Sequence, residues 1–187
     1  MNIKINQDKC TGCGLCFSAC HEGVIALDKG KAKIVRADYC DGLGNCLSVC
    51  PSKAISFEES NFLVDKETNL RQWPIKIKLL SANAKFLKDC DLFVAADCTA
   101  FSDGNFHKYM KDKTTIIGCP KLDNTDYFDK LTMILKENNI KSITVARMEV
   151  PCCGGLEYAV KEALKAANKN INMQVLEFSV SGKGLKK

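Results

Sequence analysis

The sequence predicts an α+β module built from two related, cysteine-rich halves, followed by a small α/β domain with a parallel sheet. Two observations carry this prediction. Within residues 1–60, two cysteine runs are each followed by a short apolar segment of strand type. After residue 80, continuous apolar runs alternate with helical patterns, which is typical of a parallel sheet with crossover helices. We therefore expect a first domain over residues 1–60, a connector over 61–80 and an α/β domain over 81–187.

The elements of the first module follow from its local patterns. Residues 3–5 alternate between apolar and polar side chains and predict a short strand. Residues 24–27 and 31–35 predict a hairpin with Gly30 in its turn. Residues 54–57 predict a further strand, which follows the second cysteine run as the hairpin follows the first. Each half is therefore expected to contain a cysteine loop and a strand.

The elements of the second domain follow from the spacing of its apolar residues. Unbroken apolar runs indicate strands that are buried on both faces, and apolar residues at helical spacing indicate helices that pack on them. The predicted strands are residues 92–96, 114–118, 143–146 and 174–178. The predicted helices are residues 81–88, 127–137 and 156–167.

Twelve cysteines in 187 residues are the most informative feature of the composition. The chain opens without an apolar signal segment and contains no stretch long enough to span a bilayer. We therefore expect a cytoplasmic protein, whose cysteines bind metal rather than form disulfides. The first run has the spacing C-x2-C-x2-C-x3-C, and Leu43 stands where a cysteine is missing from the second. The cysteines of the two runs are Cys10, Cys13, Cys16 and Cys20, then Cys40, Cys46 and Cys50.

These two runs resemble the ligand pattern of bacterial two-cluster ferredoxins. The resemblance implies an α+β ferredoxin module of two ββα-like halves around two [4Fe-4S] clusters. In such ferredoxins the last cysteine of each run binds the other cluster. Carried over to this chain, the resemblance implies Cys10, Cys13, Cys16 and Cys50 as ligands of cluster 1. It implies Cys20, Cys40 and Cys46 as ligands of cluster 2.

The leucine at position 43 leaves the ligation of cluster 2 open, because leucine has no ligating atom. Three outcomes are compatible with the sequence: a [3Fe-4S] cluster, a [4Fe-4S] cluster with one labile iron, or a [4Fe-4S] cluster with a non-cysteine ligand. We favour the third outcome. The candidate ligands are the oxygen atoms of Asp41 and Asn45 and the imidazole of His21.

Four further cysteines follow three of the predicted parallel strands. Carboxyl ends of parallel strands meet at one edge of a sheet, where ligands of open α/β sheets gather. We therefore predict a third metal centre, and we prefer a [4Fe-4S] cluster there over zinc, which four thiolates also suit. Its predicted ligands are Cys98, Cys119, Cys152 and Cys153, whereas Cys90 is interpreted as a core residue. Residues 96–98, 118–123 and 148–155 resemble segments of ferredoxin-type proteins of anaerobes that carry a similar cysteine-containing extension.

The expected function is electron transfer, as a ferredoxin-like carrier or as the electron-input subunit of a larger redox enzyme, with a redox protein as partner. The alternative is an iron–sulfur enzyme, or a redox or gas sensor, that uses the incompletely ligated cluster. We assign no catalytic residue and lean against an enzyme. The formal net charge is +5, but the lysines are scattered among acidic residues. We therefore expect neither a nucleic-acid nor a membrane partner, and the oligomeric state stays open.

Overall fold

The structure is a computed structural model that describes residues 3–57 and 68–186. The chain divides into two compact units, Met1–Phe62 and Leu63–Lys187. Within the described ranges, no helix is both long enough and apolar enough to cross a membrane. The predicted connector over 61–80 lies partly outside the described residues, and its remainder, residues 68–80, packs within the second unit.

The first unit consists of short elements arranged around the cysteine loops. Strand β1 pairs antiparallel with β4, and β2 pairs antiparallel with β3. The elements are β1 (Ile3–Ile5), α1 (Leu15–Ser18), β2 (Ile25–Asp28), β3 (Lys31–Ile34), α2 (Asn45–Ser48) and β4 (Ile55–Phe57). The predicted strands and hairpin are confirmed, but the predicted ββα-like order of each half is wrong. Each half reads β–α–β, because the hairpin joins the two halves instead of belonging to one of them.

The hairpin turn and a small core fix this arrangement. Lys29 and Gly30 both have positive φ, 47° and 77°, as a tight hairpin turn requires. Among residues 3–57, seven buried residues form the core, and two of them are cysteines. They are Ile3, Cys16, Val24, Ile25, Ala32, Cys46 and Ile55. Sulfur atoms are therefore part of the interior of this unit.

The second unit is built on a parallel sheet with the strand order β6-β5-β7-β8. All four predicted strands are confirmed, and the structure extends several of them by one to three residues. The elements are β5 (Asp91–Ala96), α3 (Thr99–Ser102), β6 (Thr114–Gly118), α4 (Tyr127–Glu137), β7 (Ser142–Met148), α5 (Pro151–Ala166) and β8 (Asn172–Phe178). The predicted helix over 127–137 is confirmed, and Asp126 caps it by accepting the Phe128 amide at 2.8 Å.

Both faces of this sheet are covered, which explains the unbroken apolar runs. The crossover from β5 to β6 runs in the opposite direction along the sheet from the two later crossovers, so right-handed connections place it on the opposite face. On one face, Phe106 contacts Phe93 and Phe178 at ring-centroid distances of 5.7 and 5.8 Å. The later crossovers contain α4 and α5, which pack against each other.

The segment before β5 differs from its prediction. Instead of a helix over 81–88, the structure has only a 3-10 turn at Lys85–Leu87. The side-chain amide of Asn138 donates from Nδ2 to the carbonyl of Ala82 at 2.7 Å, and this occupies a carbonyl that a helix would use. Just upstream, the Ile117 amide donates to the carbonyl of Ile75 at 2.8 Å. Residues 68–80 therefore run along the outer side of β6.

Candidate metal centres

A cavity of about 310 Å³, which includes space open to solvent, lies in the first unit. Four cysteines from both runs line it, together with glycines and small or apolar side chains. The lining residues are Ile5, Cys10, Thr11, Gly12, Cys13, Gly14, Cys16, Ala32, Cys50, Ser52, Ala54 and Ile55. The structure thus brings together, around one cavity, the four cysteines that the ferredoxin resemblance implies for cluster 1.

Two glycines shape the loop that carries the first run. Gly12 and Gly14 have φ of +75° and +79°, in the region that favours glycine. Gly12 also lies so close to the hairpin turn that a Cβ there would approach the Gly30 carbonyl oxygen to 1.8 Å. The chain then enters α1, which places Cys16 in its first turn with a buried side chain. The loop therefore wraps the cavity because its glycines permit a close backbone approach.

Backbone amides point at the sulfur atoms of three cysteines of the two runs, two of which line the cavity. The Ala32 amide donates to Cys10 Sγ at 3.4 Å, and the Ala54 amide donates to Cys50 Sγ at 3.3 Å. In the other half, the Val24 amide donates to Cys20 Sγ at 3.3 Å, at the same spacing along the chain. Such amides stabilise thiolates and ligated sulfur, and they tune the potential of an iron–sulfur cluster.

Cys50 has a further donor, the hydroxyl of Ser52, which lies 3.6 Å from Cys50 Sγ. Burial tends to raise the pKa of the Cys50 thiol. The hydrogen bonds from Ser52 and from neighbouring amides outweigh burial, and together they lower this pKa. Cys50 is therefore prepared to act as a thiolate ligand.

The remaining cysteines of the two runs form a second group. Burial raises the pKa of the Cys46 thiol, and the nearby sulfurs of Cys40 and Cys20 raise it further, to about 12. In the first group, burial and then the sulfurs of Cys50 and Cys10 raise the pKa of Cys16. The last cysteine of each run therefore interacts with the thiols of the other run. The ligand sets that the resemblance implies stay a prediction, because Cys46 also interacts with Cys16.

Position 43 occupies the same place in its half as Cys13 does in the first. Gly42 and Gly44 have φ of 73° and 79°, as their counterparts do, and a short helix follows each loop. Leu43 is half-buried, whereas Cys13 is exposed. Asp41 Oδ1 accepts the Leu43 amide at 3.0 Å. Asp41, Asn45 and His21 are all exposed, and the fourth ligand of the second group stays a prediction.

In the second unit, the thiol of Cys153 interacts with two other predicted ligands of the third centre, Cys152 and Cys98. Cys98 follows β5 and precedes α3, and Cys152 and Cys153 lie in the first turn of α5. Burial raises the pKa of Cys153, and the sulfurs of Cys152 and Cys98 raise it further. The prediction that α5 starts after these cysteines is wrong, because Pro151 occupies the first position of the helix, where its missing amide hydrogen costs nothing.

Cys119 reaches the same sheet edge from the outer strand β6. Its neighbour Pro120 packs on α5, where a Cβ on Gly155 would lie 3.3 Å from the Pro120 Cβ. Strand β5, which leads to Cys98, lies between β6 and β7. Within residues 3–57 and 68–186, no three or more His, Cys, Asp or Glu side chains are close enough to hold a single metal ion. A common centre for all four thiols stays a prediction.

Ionic side chains surround this edge, and the sequence reasoning did not identify them. Lys76 Nζ lies 2.7 Å from Asp97 Oδ2 and 2.9 Å from Asp123 Oδ2. Asp123 also accepts the hydroxyl of Tyr127 and, at 3.1 Å, the amide of Cys119. The signal in the sequence was the carboxylates themselves: Asp97 directly precedes one predicted ligand, and Asp123 follows another by four residues.

The fold and these sites define a class of protein: an iron–sulfur module with two cysteine groups, joined to an α/β unit with a parallel sheet. The four thiols that line the cavity match the four-cysteine ligand set of a 4Fe-4S cluster in number and kind. A family model described as a 4Fe-4S dicluster domain matches residues 3–57. This match supports 4Fe-4S clusters and an iron–sulfur electron-transfer role.

The second unit is assigned by its own match. A model described as a Rossmann-like domain matches residues 84–187, which is more than half of the chain, and this protein belongs to that family. A relative from Archaeoglobus fulgidus, described as an uncharacterized protein, is 35% identical over 114 residues. This alignment covers 60% of the present chain and 81% of the relative.

Proposed function

We propose that this protein is a ferredoxin-like electron carrier, or an electron-input subunit, of the type found in anaerobes. When bound, a 4Fe-4S cluster accepts and releases a single electron. The protein would supply the thiolates, the amide donors and the partial exclusion of water that set the potential of each cluster. We propose a redox protein as its partner.

The observation that carries this proposal is the cavity that four cysteines from the two runs line together. Cluster 1 would be held by Cys10, Cys13, Cys16 and Cys50, which line one cavity. Cluster 2 would be held by Cys20, Cys40 and Cys46, whose thiols interact with one another. The ligand that completes cluster 2 would be a non-cysteine group, and a [3Fe-4S] cluster is the other form compatible with Leu43.

The test is to count iron, sulfide and zinc in the anaerobically purified full chain, together with EPR of the reduced protein. Two four-iron clusters give about eight irons, and a three-iron cluster 2 gives about seven. The variant Cys50→Ser should alter the signal of cluster 1, although residue 50 belongs to the second run. Cys90→Ser is the matched control and should alter neither signal. A change confined to cluster 2 in Cys50→Ser would contradict the ligand sets.

We also propose that Cys98, Cys119, Cys152 and Cys153 hold a third metal centre, a [4Fe-4S] cluster rather than zinc. The support is that these cysteines follow three adjacent parallel strands, and that three of their thiols interact. A third four-iron cluster raises the count to about twelve irons. Cys98→Ser should remove about four of them, and Cys90→Ser none. A count of one zinc and about eight irons per chain would indicate a zinc site instead of a third cluster. An unchanged metal content in Cys98→Ser would exclude the third centre.

The alternative proposal is an iron–sulfur enzyme or a redox or gas sensor, and it rests on Leu43. Without a thiolate at this position, one iron of cluster 2 would be open to a small ligand. A substrate or gas that binds there should change the EPR signal of cluster 2 and leave that of cluster 1 unchanged. A pure carrier should instead exchange electrons reversibly at an electrode and show no such response.

A further inference from the structure

We infer that Lys76 is a positioning residue of the third centre, which it serves by joining the two strand ends that carry Cys98 and Cys119. This inference rests on the proposed third centre for its functional meaning. The claim that Lys76 joins the two strand ends rests only on the contacts of Lys76. Lys76 comes from the segment upstream of the sheet, where the sequence predicted only a connector.

The ammonium group of Lys76 bridges two carboxylates that flank the two cysteines. Its Nζ lies 2.7 Å from Asp97 Oδ2, 2.9 Å from Asp123 Oδ2 and 3.1 Å from Asp123 Oδ1. Asp97 is the residue directly before Cys98. Both carboxylates are largely shielded from solvent, since their side chains are 34% and 15% exposed. The ion pairs are therefore less screened than pairs on an open surface.

The Asp123 side of the bridge fixes the backbone at Cys119. Asp123 Oδ2 accepts the Cys119 amide at 3.1 Å, and the Asp123 amide donates back to the Cys119 carbonyl at 3.0 Å. The hydroxyl of Tyr127 donates to the same carboxylate. Tyr127 reaches it across Gly118, where a Cβ would lie 2.5 Å from the hydroxyl oxygen. The turn after β6 is thus closed on itself and held to Lys76.

The carboxylate of Asp97 depends on Lys76 more than the carboxylate of Asp123 does. Asp97 Oδ1 is buried without a hydrogen-bond partner among the described residues, so Lys76 is the partner that neutralises this carboxylate. The backbone adds one link between the strand ends, because the Asp97 amide donates to the Gly118 carbonyl at 3.2 Å. Without the ammonium group, two carboxylates would face each other between Cys98 and Cys119, and their repulsion would separate the two ends.

Lys78 offers a matched control. It lies on the same segment and donates to the main-chain carbonyl of Asp123 at 3.0 Å, but its side chain is exposed and contacts no carboxylate that flanks a cysteine. A general loosening of the segment would follow from either substitution. A specific positioning role predicts an effect of Lys76→Met only, with recovery in Lys76→Arg, which keeps the positive charge.

The first experiment uses the metal-free full chain and needs no third centre. The alkylation rate of Cys119, which is half-buried, is followed with iodoacetamide and mass spectrometry of its peptide. Lys76→Met should raise this rate by about tenfold, as expected when a charged hydrogen bond that closes a turn is lost. Lys78→Met and Lys76→Arg should stay within about twofold of the unmodified chain. Equal rates in Lys76→Met and the unmodified chain, or equal increases in both methionine variants, would overturn the inference.

The second experiment counts metal in the anaerobically purified chain. Lys76→Met should lose metal from the third centre or shift its potential, while the signals of the first unit stay unchanged. If Cys98→Ser retains all metal, the proposed third centre fails, yet the alkylation result still decides whether Lys76 holds the turn. If Cys98→Ser loses metal and Lys76→Met changes neither metal content nor potential, the third centre stands and the positioning role is rejected.

Discussion

The close approach of Gly12 to the β2–β3 turn gives the sharpest prediction for the first unit. A Cβ at position 12 would lie 1.8 Å from the carbonyl oxygen of Gly30 and 2.9 Å from its carbonyl carbon. Both are backbone atoms, so no side chain can rotate away. Gly12→Ala must therefore move either the cysteine loop, which lines the cavity, or the hairpin turn, whose strand β3 contributes Ala32 to the cavity lining.

The size of the effect follows from two contributions. The left-handed backbone conformation, φ +75°, costs a residue with a Cβ about 1–2 kcal/mol. Overpacking against a rigid neighbour adds about 1–3 kcal/mol. Gly14→Ala is the matched control, because its φ is +79° while its Cβ would lie 3.5 Å from Leu27 Cδ1, an ordinary contact. We expect the free energy of unfolding of the first unit to fall by about 2–5 kcal/mol in Gly12→Ala and by about 1–2 kcal/mol in Gly14→Ala.

The assay is anaerobic denaturation of the full chain combined with iron counting. Gly12→Ala should unfold the first unit at a clearly lower denaturant concentration and lose about four irons, since Cys10 and Cys13 flank the displaced residue. Gly14→Ala should keep its iron, and its unfolding midpoint should shift less than that of Gly12→Ala. Equal midpoints and equal iron in the two variants would refute the argument, because they would mean that the approach to Gly30 carries no energy.

Three further predictions concern other parts of the molecule. Leu43→Cys should change the EPR signal of cluster 2 and, if that cluster has three irons, add about one iron per chain; an unchanged signal would contradict the placement of residue 43. Hydrogen bonding to Lys161, and then to Arg147, lowers the pKa of Glu157 below 4.5. The free energy of unfolding of the second unit should therefore fall by about 1 kcal/mol or less as the pH falls from 4.5 through this lower pKa. In acid titrations of Glu157→Gln, this decrease should be absent. Removing iron with a chelator should abolish the thermal transition of the first unit and leave that of the second, as calorimetry would show.

Regular patterns made much of the fold predictable. The central strands of the second unit, β5 and β7, are mainly apolar and buried because both faces of their sheet are covered, and α4 has a cap and a continuous apolar face. The predicted helix over 81–88 failed because a distant residue, Asn138, binds the carbonyl of Ala82. Local propensity contains no information about such a contact.

That Cys50 lines one cavity with Cys10, Cys13 and Cys16 was predictable for a different reason. Ligand spacing reflects the geometry of a loop around a cluster, so it survives in the sequence even where the elements are only three or four residues long. The ionic bridge at Lys76 was not predictable, because its three charged residues are separated by 21 and 26 positions and meet only after the sheet has formed. The order of elements in each half was not predictable either. The local sequence pattern of a strand is the same whether its partner lies in the same half or in the other one.

The two units differ in what holds them together, and this difference bears on their roles. The first unit has strands of three or four residues, helices of four residues and a seven-residue core that contains two cysteines. So small an apolar core needs another source of stability, and ligation of thiolates is one. The second unit buries a large apolar core around a four-stranded sheet and can keep its shape without metal. Metal in the first unit would therefore be part of the fold, whereas a centre in the second would be an addition to a scaffold that is already stable.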